Sequence, residues 1–190
     1  MWIVDWVNQR QSHLEYFRTD VTKEVSQEEY RSLLRCNATK EIYISAVAPK
    51  NFRFLEKLPV VELLWVDNSE WITIEHLITM EIETLEARSK SNLTNRDINL
   101  VLKHWLIGGS PRLRYFSVRI TNVNPDAIFK DLRPIVEYVE RPRRFQWYRN
   151  CVTKIDKGFD ITIKDVVSAS LVFFEPDELG WMTLKFWVWP

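Results

Sequence analysis

The chain repeats one short pattern of apolar and polar positions. Runs with apolar residues in the order L-x-x-L-x-L recur, spaced 19 to 31 residues apart, and their middle members are Phe17, Ile42, Val61, Leu85 and Phe116. Each run ends in two apolar residues separated by one position, which is the spacing of side chains on one face of a strand. The pattern therefore predicts five short strands, each buried on one face.

Helix start signals stand between these runs, at Ser26, Thr73, Thr94 and Asn124. Glu29 follows Ser26, and Asp97 follows Thr94, at a spacing that lets the side chain and the backbone of a helix start cap each other. Proline at position 125 is suited to the first turn of a helix that begins after Asn124. Gly108-Gly109 predicts the end of the helix that begins after Thr94.

Strands and helices therefore alternate with short connections, a pattern that predicts parallel strands joined by right-handed crossovers. The spacing of the runs is close to the period of about 20 to 29 residues in leucine-rich repeats. We predict an α/β fold for residues 1–140, a leucine-rich-repeat-like curved layer of short parallel strands and helices. An ordinary open α/β sandwich is the alternative.

The pattern changes after residue 140. Four runs rich in β-forming residues follow, at 145–148, 159–163, 168–174 and 183–189, with turn residues at Lys157-Gly158 and Glu175-Pro176-Asp177. Such runs without helical spacing are typical of antiparallel strands. We predict a C-terminal antiparallel β meander over residues 141–190 that caps the repeat-like part, so that residues 1–190 form one domain.

Composition removes several classes of function. Twenty-six basic and 26 acidic residues give a net charge of zero, so no global field attracts the chain to nucleic acid or to a membrane. Of the four glycines only Gly108 and Gly109 are neighbours, which excludes the glycine-rich phosphate loops of nucleotide enzymes. Cys36 and Cys151 cannot form a disulfide framework or a zinc cluster, so we expect reduced thiols in a cytoplasmic or nuclear protein.

The sequence offers no catalytic constellation. His13, His76 and His104 lie far apart, and no G-x-S-x-G pattern is present. A general base needs a nucleophile and an orienting carboxylate within hydrogen-bond reach. We therefore predict no enzymatic activity, no cofactor and no metal site.

The segment 141–154 is both basic and aromatic. Its basic residues are Arg141, Arg143, Arg144, Arg149 and Lys154, interleaved with Phe145, Trp147 and Tyr148. Arginine beside aromatic rings can bind single-stranded nucleic acid, and such binding is the alternative function. Because alternate residues of a strand face opposite sides, the rings can instead pack inward while the arginines are solvated.

Two rows of side chains are predicted on the open face of the five strands. The position between the last two apolar residues of each run, and the position after them, point away from the core. The rows are Arg18, Tyr43, Glu62, Glu86 and Ser117, and Asp20, Ser45, Leu64, Arg88 and Arg119. Tyrosine and arginine among mixed charges suit a protein partner. We predict a partner-binding set of Arg18, Tyr43, Glu62, Glu86, Arg88, Ser117 and Arg119.

Several motifs are similar to those of a known family. They are Trp71-Ile-Thr73 with Leu77-Ile78, Leu93-Thr94-Asn95 with Asp97 and Asn99, Leu102-Lys103 with Trp105 and Gly108, Ser110-Pro111-Arg112-Leu113, Gly158-Phe-Asp160-Ile161 with Asp165 and Ala169, and Phe186-Trp-Val188-Trp189. Together they resemble the F-box-associated domain of a large nematode family of F-box proteins. The resemblance extends over essentially the whole chain and is most specific at residues 93–113.

The resemblance implies a function. It indicates a non-catalytic protein–protein interaction module, similar to the substrate-binding domain of F-box ubiquitin-ligase adaptors. The resemblance implies an F-box that docks on a Skp-type adaptor in family members, whereas we expect this sequence to begin inside the associated region without an F-box. We expect a protein partner, and a Skp-type adaptor only if an F-box is supplied elsewhere.

Overall fold

The computed structural model describes residues 3–11, 14–149, 151–164 and 166–190. His13, one of the three histidines, and Asp165, one of the motif residues, lie outside these residues. The helices are α1 Ile3–Arg10, α2 Gln27–Leu34, α3 Ile74–Thr79, α4 Asn95–Leu106 and α5 Pro125–Ile128, with a 3-10 turn at Arg133–Ile135. The strands are β1 Tyr16–Thr19, β2 Glu41–Ile44, β3 Leu63–Val66, β4 Thr84–Lys90, β5 Tyr115–Thr121, β6 Val136–Tyr148, β7 Cys151–Ile163, β8 Val166–Phe173 and β9 Trp181–Val188.

All of these strands belong to one sheet, in the order β1-β2-β3-β4-β5-β9-β8-β7-β6. β1 to β5 are parallel to one another. β9 pairs antiparallel with β5, and β8, β7 and β6 follow antiparallel beyond it. The strand that comes last along the chain therefore joins the two halves of the sheet.

The predicted fold class, an α/β leucine-rich-repeat-like layer with a β cap, is wrong. Strands make up 38% of the structure and helices 22%, so the fold is mostly β. The four C-terminal strands do not cap a separate layer, because β9 pairs with β5 from Tyr115 to Thr121 and extends the same sheet. β6 and β7 are 13 residues each and are longer than any helix in the described part of the chain. The division of the domain at residue 140 stays a prediction.

One buried column of side chains fixes the register of the parallel strands. Phe17, Ile42, Leu64, Leu85 and Phe116 lie side by side on β1 to β5, and the last four are fully buried. The sequence pattern placed Val61 in this column instead of Leu64. Val61 is also fully buried, but it lies in the connection before β3, so the strand begins later than predicted.

The predicted helix starts are confirmed at the side chains that cap them. The Ser26 hydroxyl accepts from the Glu29 backbone N–H, and the Thr94 hydroxyl accepts from that of Asp97. The Asn124 side chain caps α5 in the same way. The sequence pattern missed α1, whose Val4 side chain is buried in the same core as α2.

Gly158 does not form the predicted turn. It lies inside β7, paired opposite Val139 of β6. A Cβ at this position would stand 2.7 Å from a methyl group of Val172 and 3.0 Å from the Leu171 carbonyl oxygen. The close approach of β8 therefore requires glycine at this position. In the sequence, a glycine needed for such an approach cannot be distinguished from a glycine in a turn.

Candidate protein-binding surface

The face of β1 to β5 that points away from the helices carries the predicted first row, with one replacement. Strand pairing aligns Arg18, Tyr43, Trp65, Glu86 and Ser117. Glu62, which the sequence placed in this row, precedes β3 and is half-buried there. The same shift of β3 that moves Leu64 into the core column brings Trp65 onto the open face, where the alternation of side chains requires it.

Four side chains of this face form a continuous stack, which we call the aromatic ladder: Arg18, Tyr43, Trp65 and Arg88. The Arg18 guanidinium lies 4.6 Å from the Tyr43 ring centroid, and the Tyr43 and Trp65 rings stack with centroids 5.2 Å apart and planes 21° from parallel. The Arg88 guanidinium lies 5.1 Å from the Trp65 ring. Because the four residues come from successive strands, each ring has a neighbour on both of its faces and presents its edge to solvent.

Polar contacts are present at two members of the ladder. The Trp65 indole N–H donates to the Asp67 carboxylate at 2.9 Å, and Arg18 forms an ion pair with Asp20 at 3.0 Å. Arg18 and Arg88 are exposed, whereas the Tyr43 and Trp65 rings are half-buried. The two half-buried rings are therefore held by packing and by the Trp65–Asp67 hydrogen bond, whereas the exposed Arg18–Asp20 pair adds little.

A cavity of about 490 Å³ adjoins the Arg88 end of the ladder. Its lining includes Trp65, Arg88, Arg119, Trp147 and Lys185. The Arg119 guanidinium binds the Asp177 carboxylate and also donates to the Arg88 carbonyl oxygen at 3.4 Å. The Lys185 ammonium lies 5.2 Å from the Phe174 ring, so cations and aromatic rings alternate around the cavity.

The floor of the cavity is structural. Glu86 is 7% exposed and accepts a hydrogen bond from the Tyr115 hydroxyl at 2.7 Å. Burial and the neighbouring Glu86 carboxylate both raise the pKa of Tyr115 far above its usual value, so the phenol stays protonated and donating. Ser117 is 2% exposed. Glu86 and Ser117 thus lie on the predicted face but offer little surface to a partner.

The hairpin of β6 and β7 bends back over the first strands of the same face. The Trp147 ring packs 5.1 Å from the Tyr115 ring, and the Tyr148 hydroxyl donates to the Glu41 carboxylate at 2.8 Å. Arg149 forms an ion pair with Glu41 at 3.1 Å. Burial, followed by the hydrogen bond to Glu41, raises the pKa of Tyr148. The hairpin tip therefore contacts the beginnings of β1 and β2, while Trp147 of the same hairpin forms part of the cavity wall.

A family comparison bears on this surface directly, because its match runs from Tyr43, in the middle of the ladder, to Val118. Residues 43–118 match the family model described as F-box associated. The resemblance predicted from the sequence is confirmed over these residues. The matched residues include Tyr43, Trp65, Arg88 and the whole specific segment 93–113. Arg18, Arg119 and Lys185 lie outside the matched region.

A curated relative matches part of the chain. The E3 ubiquitin-protein ligase hecw-1 of Caenorhabditis elegans is 27% identical over 97 residues, which is 50% of this chain and 8% of that protein. The chain thus corresponds to a small fraction of the relative's length. No solved structure matches the chain.

Outside the matched residues, part of the basic segment 141–154 is engaged in ion pairs and packing. Arg143 has a side chain that is 13% exposed and is paired with the buried Asp160 carboxylate. Arg141 also reaches Asp160, at 3.4 Å, and Lys154 pairs with Asp156 at 2.7 Å. The Phe145 ring is buried. Burial therefore withdraws Arg143 and Phe145 from a nucleic-acid surface, whereas Arg141, Arg144 and Lys154 stay exposed.

The histidines and cysteines of the described ranges do not form a site. His76 is buried beside Trp71, and His104 is half-buried on α4. Among the residues that the structure describes, no group of three or more His, Cys, Asp or Glu side chains could hold a metal ion. No helix there is long and apolar enough to cross a membrane.

Trp65 and Lys185 are surface residues that the sequence pattern did not predict. Trp65 follows from the alternation in Leu63-Leu64-Trp65-Val66 once Leu64 is assigned to the core. Lys185 pairs with Ser117 across β5 and β9, a contact between distant parts of the chain that no local pattern indicates.

Proposed function

We propose that this chain is a non-catalytic protein-recognition domain, and that the aromatic ladder with its adjoining cavity binds a segment of a partner protein. The single observation that carries this proposal is the four-member stack of Arg18, Tyr43, Trp65 and Arg88 on one open sheet face. The F-box-associated match and the relative named an E3 ubiquitin-protein ligase support a protein-interaction or substrate-recognition role.

The composition of the ladder suits a protein interface. Trp, Tyr and Arg are the residue types that dominate binding energy at protein interfaces, because they offer large contact areas together with hydrogen-bond donors. These side chains line a surface that the parallel strands hold rigidly. A buried tyrosine or tryptophan would serve folding alone, whereas the half-exposed rings here remain available to a partner.

The family resemblance also indicates the class of protein that is bound. We propose that the bound protein is a target of ubiquitin ligation, selected by this domain. An adaptor of the Skp type would join the complex only through an F-box supplied elsewhere.

Affinity capture with mass spectrometry tests the proposal. We would compare the wild-type chain with the Trp65→Ala and Tyr43→Ala variants. Trp6→Ala is the matched control, because Trp6 also lies under an arginine, Arg10 at 4.7 Å, but on α1 in the helical layer. A protein recovered by the wild type and by Trp6→Ala, and lost with both ladder variants, supports the proposal. Unchanged recovery with folded ladder variants would refute it.

A further inference from the structure

We propose that the partner segment bound at the aromatic ladder is acidic, with its carboxylates placed against Arg88 and Lys185. This inference rests on the proposed function and names the chemistry of the partner. Three features of the described surface carry it: the direction in which the rings face, the pairing of the charges, and the position of the two cations on one cavity.

The first feature is that the ring faces are occupied. The Tyr43 and Trp65 rings cover each other on one side and are covered by Arg18 and Arg88 on the other. Aromatic rings carry negative potential on their faces and positive potential at their edges. A partner therefore meets ring edges and guanidinium N–H groups, a surface that attracts hydrogen-bond acceptors and anions.

The second feature is an imbalance in pairing. Two carboxylates of this face form ion pairs, Asp20 with Arg18 and Asp177 with Arg119. Asp67 and Glu86 instead accept hydrogen bonds from neutral groups, the Trp65 indole and the Tyr115 hydroxyl, and Glu86 is only 7% exposed to a partner. Within the described ranges, no ion pair joins Arg88 or Lys185 to a carboxylate. In the described part of the chain, the two cationic groups lie against the rings of Trp65, Tyr115 and Phe174. Glu86 lines the same cavity but is hydrogen-bonded to Tyr115 and nearly buried.

The third feature is position. Arg88 and Lys185 line the same cavity of about 490 Å³, with the guanidinium of Arg119 held between Asp177 and the Arg88 carbonyl group. A guanidinium binds a carboxylate through two parallel hydrogen bonds, and such charge-assisted bonds are about twice as strong as neutral ones. The walls of the cavity also reduce solvent screening. One or two acidic side chains of a partner would fit these conditions.

Nucleic acid is the competing anionic ligand. Its single-stranded forms bind proteins by stacking bases on free aromatic faces as well as by phosphate contacts. The filled faces of Tyr43 and Trp65 leave no such platform on the ladder, so the structure favours carboxylates on a peptide.

Fluorescence anisotropy with defined peptides tests the inference. The probes are a labelled decapeptide of alternating Glu and Ser, the same peptide with Gln in place of Glu, and a labelled oligouridylate of ten nucleotides. At about 50 mM salt we expect the Glu peptide to bind at least about ten-fold more tightly than the Gln peptide. Arg88→Glu and Lys185→Glu should each weaken that binding by about ten-fold or more. The control Arg96→Glu, exposed on α4, should leave it unchanged.

Several outcomes would overturn the inference. These are equal binding of the Glu and Gln peptides, full binding by the folded Arg88→Glu and Lys185→Glu variants, or tighter binding of the oligouridylate than of the Glu peptide. The captured partner separates this inference from the proposed function. If a partner is lost with Trp65→Ala but is still recovered with Arg88→Glu and Lys185→Glu, the proposed protein-binding function stands and the preference for acidic segments is refuted.

Discussion

The guanidinium of Arg143 and the carboxylate of Asp160 form an ion pair inside the antiparallel half of the sheet. The Asp160 side chain is 1% exposed, and it also accepts from the Ser170 hydroxyl at 2.6 Å. Ser170 in turn accepts from the Trp189 indole N–H at 2.8 Å. One network thus connects β6, β7, β8 and the residue that follows β9.

Removal of one partner from this pair should be costly. We expect Asp160→Asn to lower the free energy of unfolding by about 3 to 5 kcal/mol, because the buried Arg143 charge loses its counterion. Urea denaturation followed by tryptophan fluorescence measures the change. Asp156→Asn is the control, since Asp156 pairs with Lys154 at the exposed surface. Equal small effects of the two substitutions would show that the network does not stabilise the fold.

His76 should make stability depend on pH. Its Nδ1 accepts from the Thr73 backbone N–H at 3.1 Å, and burial lowers its pKa below the ordinary value. The unfolded chain therefore takes up a proton first as the pH falls below about 6.5. The free energy of unfolding should decline from there until the pH reaches the lowered pKa of the folded state, and the stabilisation should be complete above about pH 6.5.

Substitution of His76 by glutamine would keep the hydrogen bond that caps α3 and remove the group that titrates. Its side-chain oxygen can accept from the same Thr73 N–H but takes up no proton. We expect His76→Gln to flatten the dependence of stability on pH between about pH 5 and pH 7. His104→Gln, on α4, should leave the dependence in place. A pH profile of thermal unfolding that is identical for the wild type and His76→Gln would contradict this assignment.

The hairpin tip should loosen when its bond to β2 is removed. Tyr148→Phe deletes the hydroxyl that donates to Glu41, and we expect a loss of about 1 kcal/mol together with faster amide exchange at the tip of β6 and β7. Tyr138→Phe is a matched control, because Tyr138 donates to Glu140 on its own strand. Hydrogen–deuterium exchange that responds equally to both substitutions would argue against the hairpin contact.

The sequence predicted local features well. The caps at Ser26 and Thr94 depend on residues three positions apart, and both were identified correctly. The register of β3 was missed because Val61 and Leu64 are both fully buried, so burial alone does not choose between them. Because the predicted strand was placed three residues too early, Glu62 was assigned to the surface position that Trp65 occupies.

Contacts between distant parts of the chain could not be predicted. Tyr148 and Glu41 are 107 residues apart, and no local pattern pairs them. The fold class was wrong for the same reason: the alternation of strands and helices describes residues 14–121 locally, but it does not show that β9 pairs with β5. Pairing energies between strands arise from cross-strand neighbours, which a single sequence does not display.

The insertion of β9 between β5 and β8 has a consequence for synthesis on the ribosome. The parallel strands emerge first, and β6, β7 and β8 follow, yet neither group can join the other until residues 181–188 have left the exit tunnel. During that interval β5 and β8 each have an unpaired edge, which can pair wrongly with other chains. A nascent chain stalled before Trp181 should therefore be a substrate for chaperones, and the last strand should convert it to a form that they release.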